Sequence, residues 1–168
     1  VDHDHDAGIG PRELERLDDR LDAGAKAAGG SMAGIREAIA EGSSFISETV
    51  FSHPSKVQLV VDAVDVGYLV HLHVVMVPVE LTVQRVFERV RRGGHAVPEQ
   101  KIRDRYDRLW YHVRQAISIA DMAEVFDNSS AGAPFRLCAS FEHGQLIGPP
   151  NWPRWTPAAL RAREGSGR

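Results

Sequence analysis

Apolar residues recur along this chain with two periods, one close to a helical turn and one close to a pleat. Over residues 11 to 23, "PRELERLDDRLDA" spaces Leu14, Leu17 and Leu21 three and four apart. That spacing predicts one apolar stripe along a charged helix with Pro11 in its first turn. A second helix is predicted where Ser31 caps a segment carrying Met32, Ile35 and Ile39, with Gly42 stopping it. "SSFIS", residues 43 to 47, reads as a short strand, and "SHPSKVQLVVDAVDVG" as a helix with Pro54 in its first turn and Gly67 just past its end. The run "YLVHLHVVMV" from residue 68 is nearly all apolar, the pattern of a central strand covered on both faces. Helical spacing returns at Leu81, Val83, Val86, Phe87 and Val90, breaks at Gly93 and Gly94, and resumes behind Pro98 through residue 120. "AEVFDNS" from residue 123 is a strand ending in turn residues, and "FRLCASFEHGQLIG" from residue 135 a hairpin turning at His143 and Gly144. The following segment sets Trp152 and Trp155 among prolines, a tail expected to lie against the domain.

Strands alternating with helices predict an α/β fold with a largely parallel sheet, helices on both faces and right-handed crossovers. With 168 residues, 43% of them apolar, the chain suits one compact domain over residues 1 to 160, followed by a polar tail at 161 to 168. Sheets of this type commonly begin with a strand, and none is legible ahead of the first helix.

Charge narrows the partners. A net charge of -3 gives no global attraction to nucleic acid or to an anionic membrane. The single cysteine, Cys138, excludes an internal disulfide framework and suits a reducing compartment. No apolar run approaches the roughly 18 residues of a membrane span, and the acidic start "VDHDHDAG" is unlike a secretory leader, so a cytoplasmic protein is expected. Anion binding has to come from local clustering, and residues 85 to 108 hold eight of the twenty Lys and Arg against four acids.

Ligands of open α/β sheets sit beyond the carboxyl ends of strands. That places Glu48, Thr49 and Ser52 after the first predicted strand, and Asp127, Asn128 and Ser129 after "EVF", among the residues able to meet a ligand. Ser52 could equally cap the next helix, and Asp-Asn-Ser could equally form a turn. Arg89, Arg92, His95, Arg103 and Arg105 flank the Gly93-Gly94 break. Guanidinium forks bind phosphate oxygens in pairs while glycines let a segment close, as a lid over phosphates requires. The plainer alternative is a solvated helix pair in which Glu88, Glu99, Asp104 and Asp107 pair with the bases. His71 and His73, two apart on one strand, face the same way as the start of a metal site would, but no third ligand stands at a telling spacing, so buried or sheet-edge histidines without a metal are expected. "DHDHD" at residues 2 to 6 could hold a cation loosely or be a frayed terminus.

At "GSSFISETVFSHPSK", "HLHVVMVPVELTVQRVFERVRRGGHAVPEQKIRDRYDRLW", "EVFDNS" and "PPNWPRWTPAAL", the chain resembles the bacterial zeta-toxin-like kinases, a branch of the P-loop nucleotide kinases. The likeness runs over about residues 42 to 160 and rests on the combination of motifs. It implies a three-layer, P-loop-kinase-like fold and an ATP-dependent, magnesium-dependent small-molecule kinase of toxin-antitoxin type. The best-understood relatives phosphorylate a nucleotide sugar, UDP-N-acetylglucosamine. The partners implied are a small-molecule substrate and an antitoxin or a second copy of the chain.

Carried over by position, the resemblance assigns Glu48 to the substrate, with Thr49 and Ser52 beside it, and Arg89 to the ATP phosphates. His95, Arg103 and Arg105 fall in the lid, Asn128 falls near the nucleotide end, and Asp4 is the nearest match to the catalytic base. The family's first strand, phosphate loop and first helix would precede Val1. No GxxxxGK motif, nor even a Gly-Lys dipeptide, occurs in these 168 residues. Without that cradle, impaired phosphoryl transfer is expected, the alternative being a non-catalytic kinase-fold binding or interaction protein.

Overall fold

The computed structural model describes residues 26–27 and 32–161, which fall in two compact units, Val1–Thr49 and Val50–Arg168. The helix expected over residues 11 to 23 lies outside the described residues.

In the first unit, strand β1 (Lys26–Ala27) pairs in parallel with β2 (Phe45–Ile46), and helix α1 (Met32–Glu41) connects them. Ile35 and Ala38, one turn apart on α1, are buried. The helix stops where expected. Gly42 takes φ 66°, its N–H donates to the Ile39 carbonyl, and the Ser43 N–H reaches back to Ala38, a Schellman turn. Strand β1 was not legible in "GAKAAGG", which offers neither β-branched nor aromatic residues.

The second unit is built on a four-stranded sheet of order β3-β4-β5-β6, comprising His71–Met76, Met122–Asp127, Arg136–Glu142 and Gln145–Ile147. Helix α2 (Ser55–Asp65) precedes β3, helices α3 (Val79–Arg91) and α4 (Glu99–Ile119) lie between β3 and β4, and the short α5 (Ala158–Arg161) follows β6. The fold is therefore mixed α/β, a sheet flanked by helices, as the alternation of periods predicts. The sheet is partly parallel: β3 and β4 run together, while β5 and β6 are antiparallel additions. Their links explain this, since a two-residue turn and a short loop can join only antiparallel neighbours, whereas a parallel pair needs a crossover such as the one α3 and α4 supply. Strand β3, expected in the middle of its sheet, stands at one edge of these four strands.

Helix α4 organises the interior. Ile102, Trp110, Val113, Ala116 and Ile117 are buried along one stripe, and the helix packs against α2, α3 and α5. Trp110, Val113 and Ile117 join Met76, Val125, Phe141 and Leu160 in the main core, with Trp152 and Trp155 packed against it as the sequence predicts for the tail. A bulge between Val125 and Phe126 of β4 leaves Cys138 without a cross-strand partner, and its free carbonyl accepts from the Asn151 N–H at 2.7 Å, which ties the tail to the sheet. Burial pushes the Cys138 thiol pKa up, so it behaves as a small apolar group.

Candidate functional site: an arginine-bearing helix pair beside the strand ends

The segment holding most of the basic residues is fixed by its backbone. Gly93 adopts φ 96° and donates to the Val90 carbonyl, and the Gly94 N–H returns to the Arg89 carbonyl at 3.1 Å. The two glycines form a Schellman turn that ends α3 with Arg89 in its last turn. A side chain at position 94 would place its Cβ 3.0 Å from the Arg89 carbonyl oxygen, a tight contact that favours the second glycine, while the positive φ favours the first by conformation. Beyond the turn, Pro98 opens α4, which brings Arg103 and Arg105 into its first two turns.

The arginines differ in what they face. Arg103 pairs with Glu99 at 2.8 Å and reaches Glu80 of α3 at 3.5 Å; the bond to Glu99 raises its pKa, and two carboxylates offset its charge. It braces the two helices against each other. Arg105 donates to the Ser52 hydroxyl at 3.0 Å, a neutral partner 53 residues away, and has no ion-pair partner among the described residues. Arg89 and His95 are exposed and have no ion-pair partner among the described residues. A shallow groove of about 360 Å³ runs along α3 past Phe87, Glu88, Arg91 and Arg103, and includes neither Arg89 nor Arg105.

Strand ends supply the remaining groups. The Val77 carbonyl just past β3 accepts from the Tyr106 hydroxyl at 2.8 Å, which fixes α4 to that strand end, and burial pushes the Tyr106 pKa up to about 12. At the end of β4 the Asp127 carboxylate accepts from the Ser129 N–H and from Arg136, both at 2.9 Å. Burial alone would raise its pKa, but these bonds outweigh burial and hold the carboxyl below its usual range. The segment from Asp127 to Ser129 is thus a turn in which the acid is already engaged, and the Asn128 N–H bonds back to Met76 of β3 at 2.9 Å.

Of the residues singled out in the sequence, the structure brings Ser52 to Arg105 and sets Arg103 between Glu80 and Glu99. Asn128 stands at the paired ends of β3 and β4, while Glu48 and Thr49 follow β2 in the other unit. Asp4 lies outside the described residues. For the implied cofactors the fit is uneven: Arg89 and Arg105 suit phosphate oxygens, whereas Asp127, the acid at the β4 end, is committed to Arg136 rather than open to magnesium. Sequence reasoning missed Tyr106, Asp127 as an ion-pair partner and Glu124. Glu124 lies directly across from His73 in the parallel register, and nothing in local spacing shows a pairing 51 residues apart.

Among protein-family models, the one described as Zeta toxin matches residues 31–132, more than half of the chain. No curated protein and no solved structure matches.

Proposed function

This chain belongs to the Zeta toxin family, a P-loop kinase-like family, and from that premise we propose that it carries the lid and substrate side of an ATP-dependent kinase acting on a small phosphate-bearing substrate such as a nucleotide sugar. The family suggests a kinase-like role in a toxin-antitoxin type of system; the substrate is the proposal's own. The observation that carries it is the unequal state of the arginines. Arg103 is spent on bracing α3 against α4, while Arg89 and Arg105 are exposed and have no ion-pair partner among the described residues, which leaves their charge for an anion.

Phosphoryl transfer is mostly positioning and charge stabilisation, so the roles divide simply. Arg89 binds the phosphate oxygens of the nucleotide, and Arg105, oriented by Ser52, binds those of the lid side. His95 adds a donor from the turn between the helices, and Asn128 adds one at the end of β4. ATP supplies the phosphoryl group and magnesium would screen it. Glu48 and Thr49 are assigned to the substrate, and Asp4 is assigned as the base that takes the proton of the substrate hydroxyl as its oxygen attacks the γ-phosphoryl group and ADP leaves.

The test is transfer from labelled ATP to a panel of nucleotide sugars, followed by mass spectrometry. A phosphorylated product that falls at least about tenfold in Arg89→Ala and Arg105→Ala but stays within about threefold in Arg103→Ala supports this division of roles. Product formation equal in all four proteins refutes it.

A second reading, a kinase-fold interaction protein without catalysis, is favoured by one observation. Strand β3 is an edge of its four-stranded sheet and carries exposed Val75, with exposed Leu69 just ahead of it. That reading requires self-association or a partner chain, and sedimentation of a strictly monomeric protein would count against it.

A further inference from the structure

The sequence leaves His71 and His73 without a third ligand, and the fold supplies one. Because residues two apart on a strand share a face, both rings project from the same side of β3. The parallel register sets Glu124 of β4 directly opposite His73. Glu124 Oε2 lies 3.4 Å from His71 Nε2 and 3.7 Å from His73 Nδ1, and one donor atom from each residue falls within 4.8 Å of the others. Donors at about 2.1 Å from a tetrahedral zinc stand roughly 3.4 Å from one another, so two of the three separations already suit a shared ion.

The burial of this cluster calls for a cation. Glu124 is 6% exposed, and its Oε2 and the His71 Nε2 are buried atoms with no hydrogen-bond partner among the described residues. At 3.4 Å the two make a charge contact without hydrogen-bond geometry. A buried carboxylate oxygen without a hydrogen-bond partner is unfavourable unless a cation compensates it. His73 is stacked flat on Phe126, which sets its ring plane, and is exposed on its outer side, which gives an ion a route in and leaves room for water as a further ligand.

We propose that His71, His73 and Glu124 bind one divalent transition-metal ion, zinc in the first instance. Two imidazoles and one carboxylate suit zinc, cobalt, nickel or copper, whereas magnesium and calcium prefer all-oxygen shells. The site occupies the first half of β3 and β4, at the amino ends of the strands, while nucleotides in such sheets sit at the carboxyl ends. It is therefore separate from the kinase centre, and its effect is to cross-link the edge strand β3 to β4.

The experiment uses the full chain, stripped with a chelator and titrated with cobalt as a visible-absorption probe for the zinc position, then with zinc in competition. The expected result is a d–d band saturating at one cobalt per chain, displaced by zinc and untouched by millimolar-scale magnesium, with a higher Tm in zinc. His71→Asn and Glu124→Gln should each weaken cobalt binding by on the order of 100-fold. His73→Asn, at an exposed position, serves if either fails to fold by circular dichroism. The double substitution His3→Asn, His5→Asn removes the histidines of the acidic N-terminal stretch and should leave the band intact. No band in the parent chain overturns the proposal, as does a band lost with His3 and His5 but kept in His71→Asn.

Discussion

Asp127 shows how one side chain can look like a ligand in sequence and act as a fastening in space. Its carboxylate takes one bond from the Ser129 amide and another from Arg136 of the neighbouring strand, which closes the turn at the end of β4. The ion pair needs the ionised form, and both bonds are stronger to it. Its folded pKa lies below the unfolded value of about 3.9, so its stabilisation is complete above about pH 5 and is lost as pH falls through the folded pKa. Urea melts between about pH 6 and pH 3 should show the parent losing more stability than Asp127→Asn. Equal losses in the two proteins would mean that the ion pair contributes nothing. The same distinction between charge already used and charge still available separates Arg103 from Arg89 and Arg105. Residue type alone does not reveal it, because the partners Glu80, Glu99 and Ser52 are placed by packing.

At the scale of elements, the glycines mark where geometry leaves no choice. Gly144 combines φ 76° with a backbone in the way, since an added Cβ would lie 2.9 Å from the Ser118 Cα; Gly93 has φ 96° with open space around it. Replacement of Gly93 by Ala should therefore cost about 1–2 kcal/mol of left-handed strain alone. Gly144→Ala should cost more, because the hairpin must also move off α4. Thermal melts order the two, and a milder Gly144→Ala would contradict the packing described. These same local signals are why much of the fold was legible in the sequence. Gly42 ends α1, Pro54 and Gly67 bracket α2, and the β5-β6 hairpin turns at His143 and Gly144, each through chemistry contained within a few residues. What was not legible depends on neighbours far along the chain: the edge position of β3, the antiparallel pairing of β4 with β5, and the placement of Glu124 opposite His73. Strand β1 escaped for the opposite reason, because Lys26 and Ala27 carry no strand preference of their own and are paired only through β2.

At the scale of the molecule, membership of the Zeta toxin family and the partly parallel sheet flanked by helices agree on a kinase-like scaffold. No helix among the described residues is long and apolar enough to cross a membrane. Arg89, exposed in the last turn of α3 with no ion-pair partner among the described residues, is the residue proposed to bind phosphate. Calorimetric titration of the purified chain with magnesium-ATP, alongside Arg89→Ala and Arg103→Ala, tests it most directly. Saturable binding is expected, weaker by about tenfold or more in Arg89→Ala, the loss of roughly one charge-assisted contact, and much less affected in Arg103→Ala. Absence of binding in the parent chain, or equal affinity in all three proteins, would contradict it.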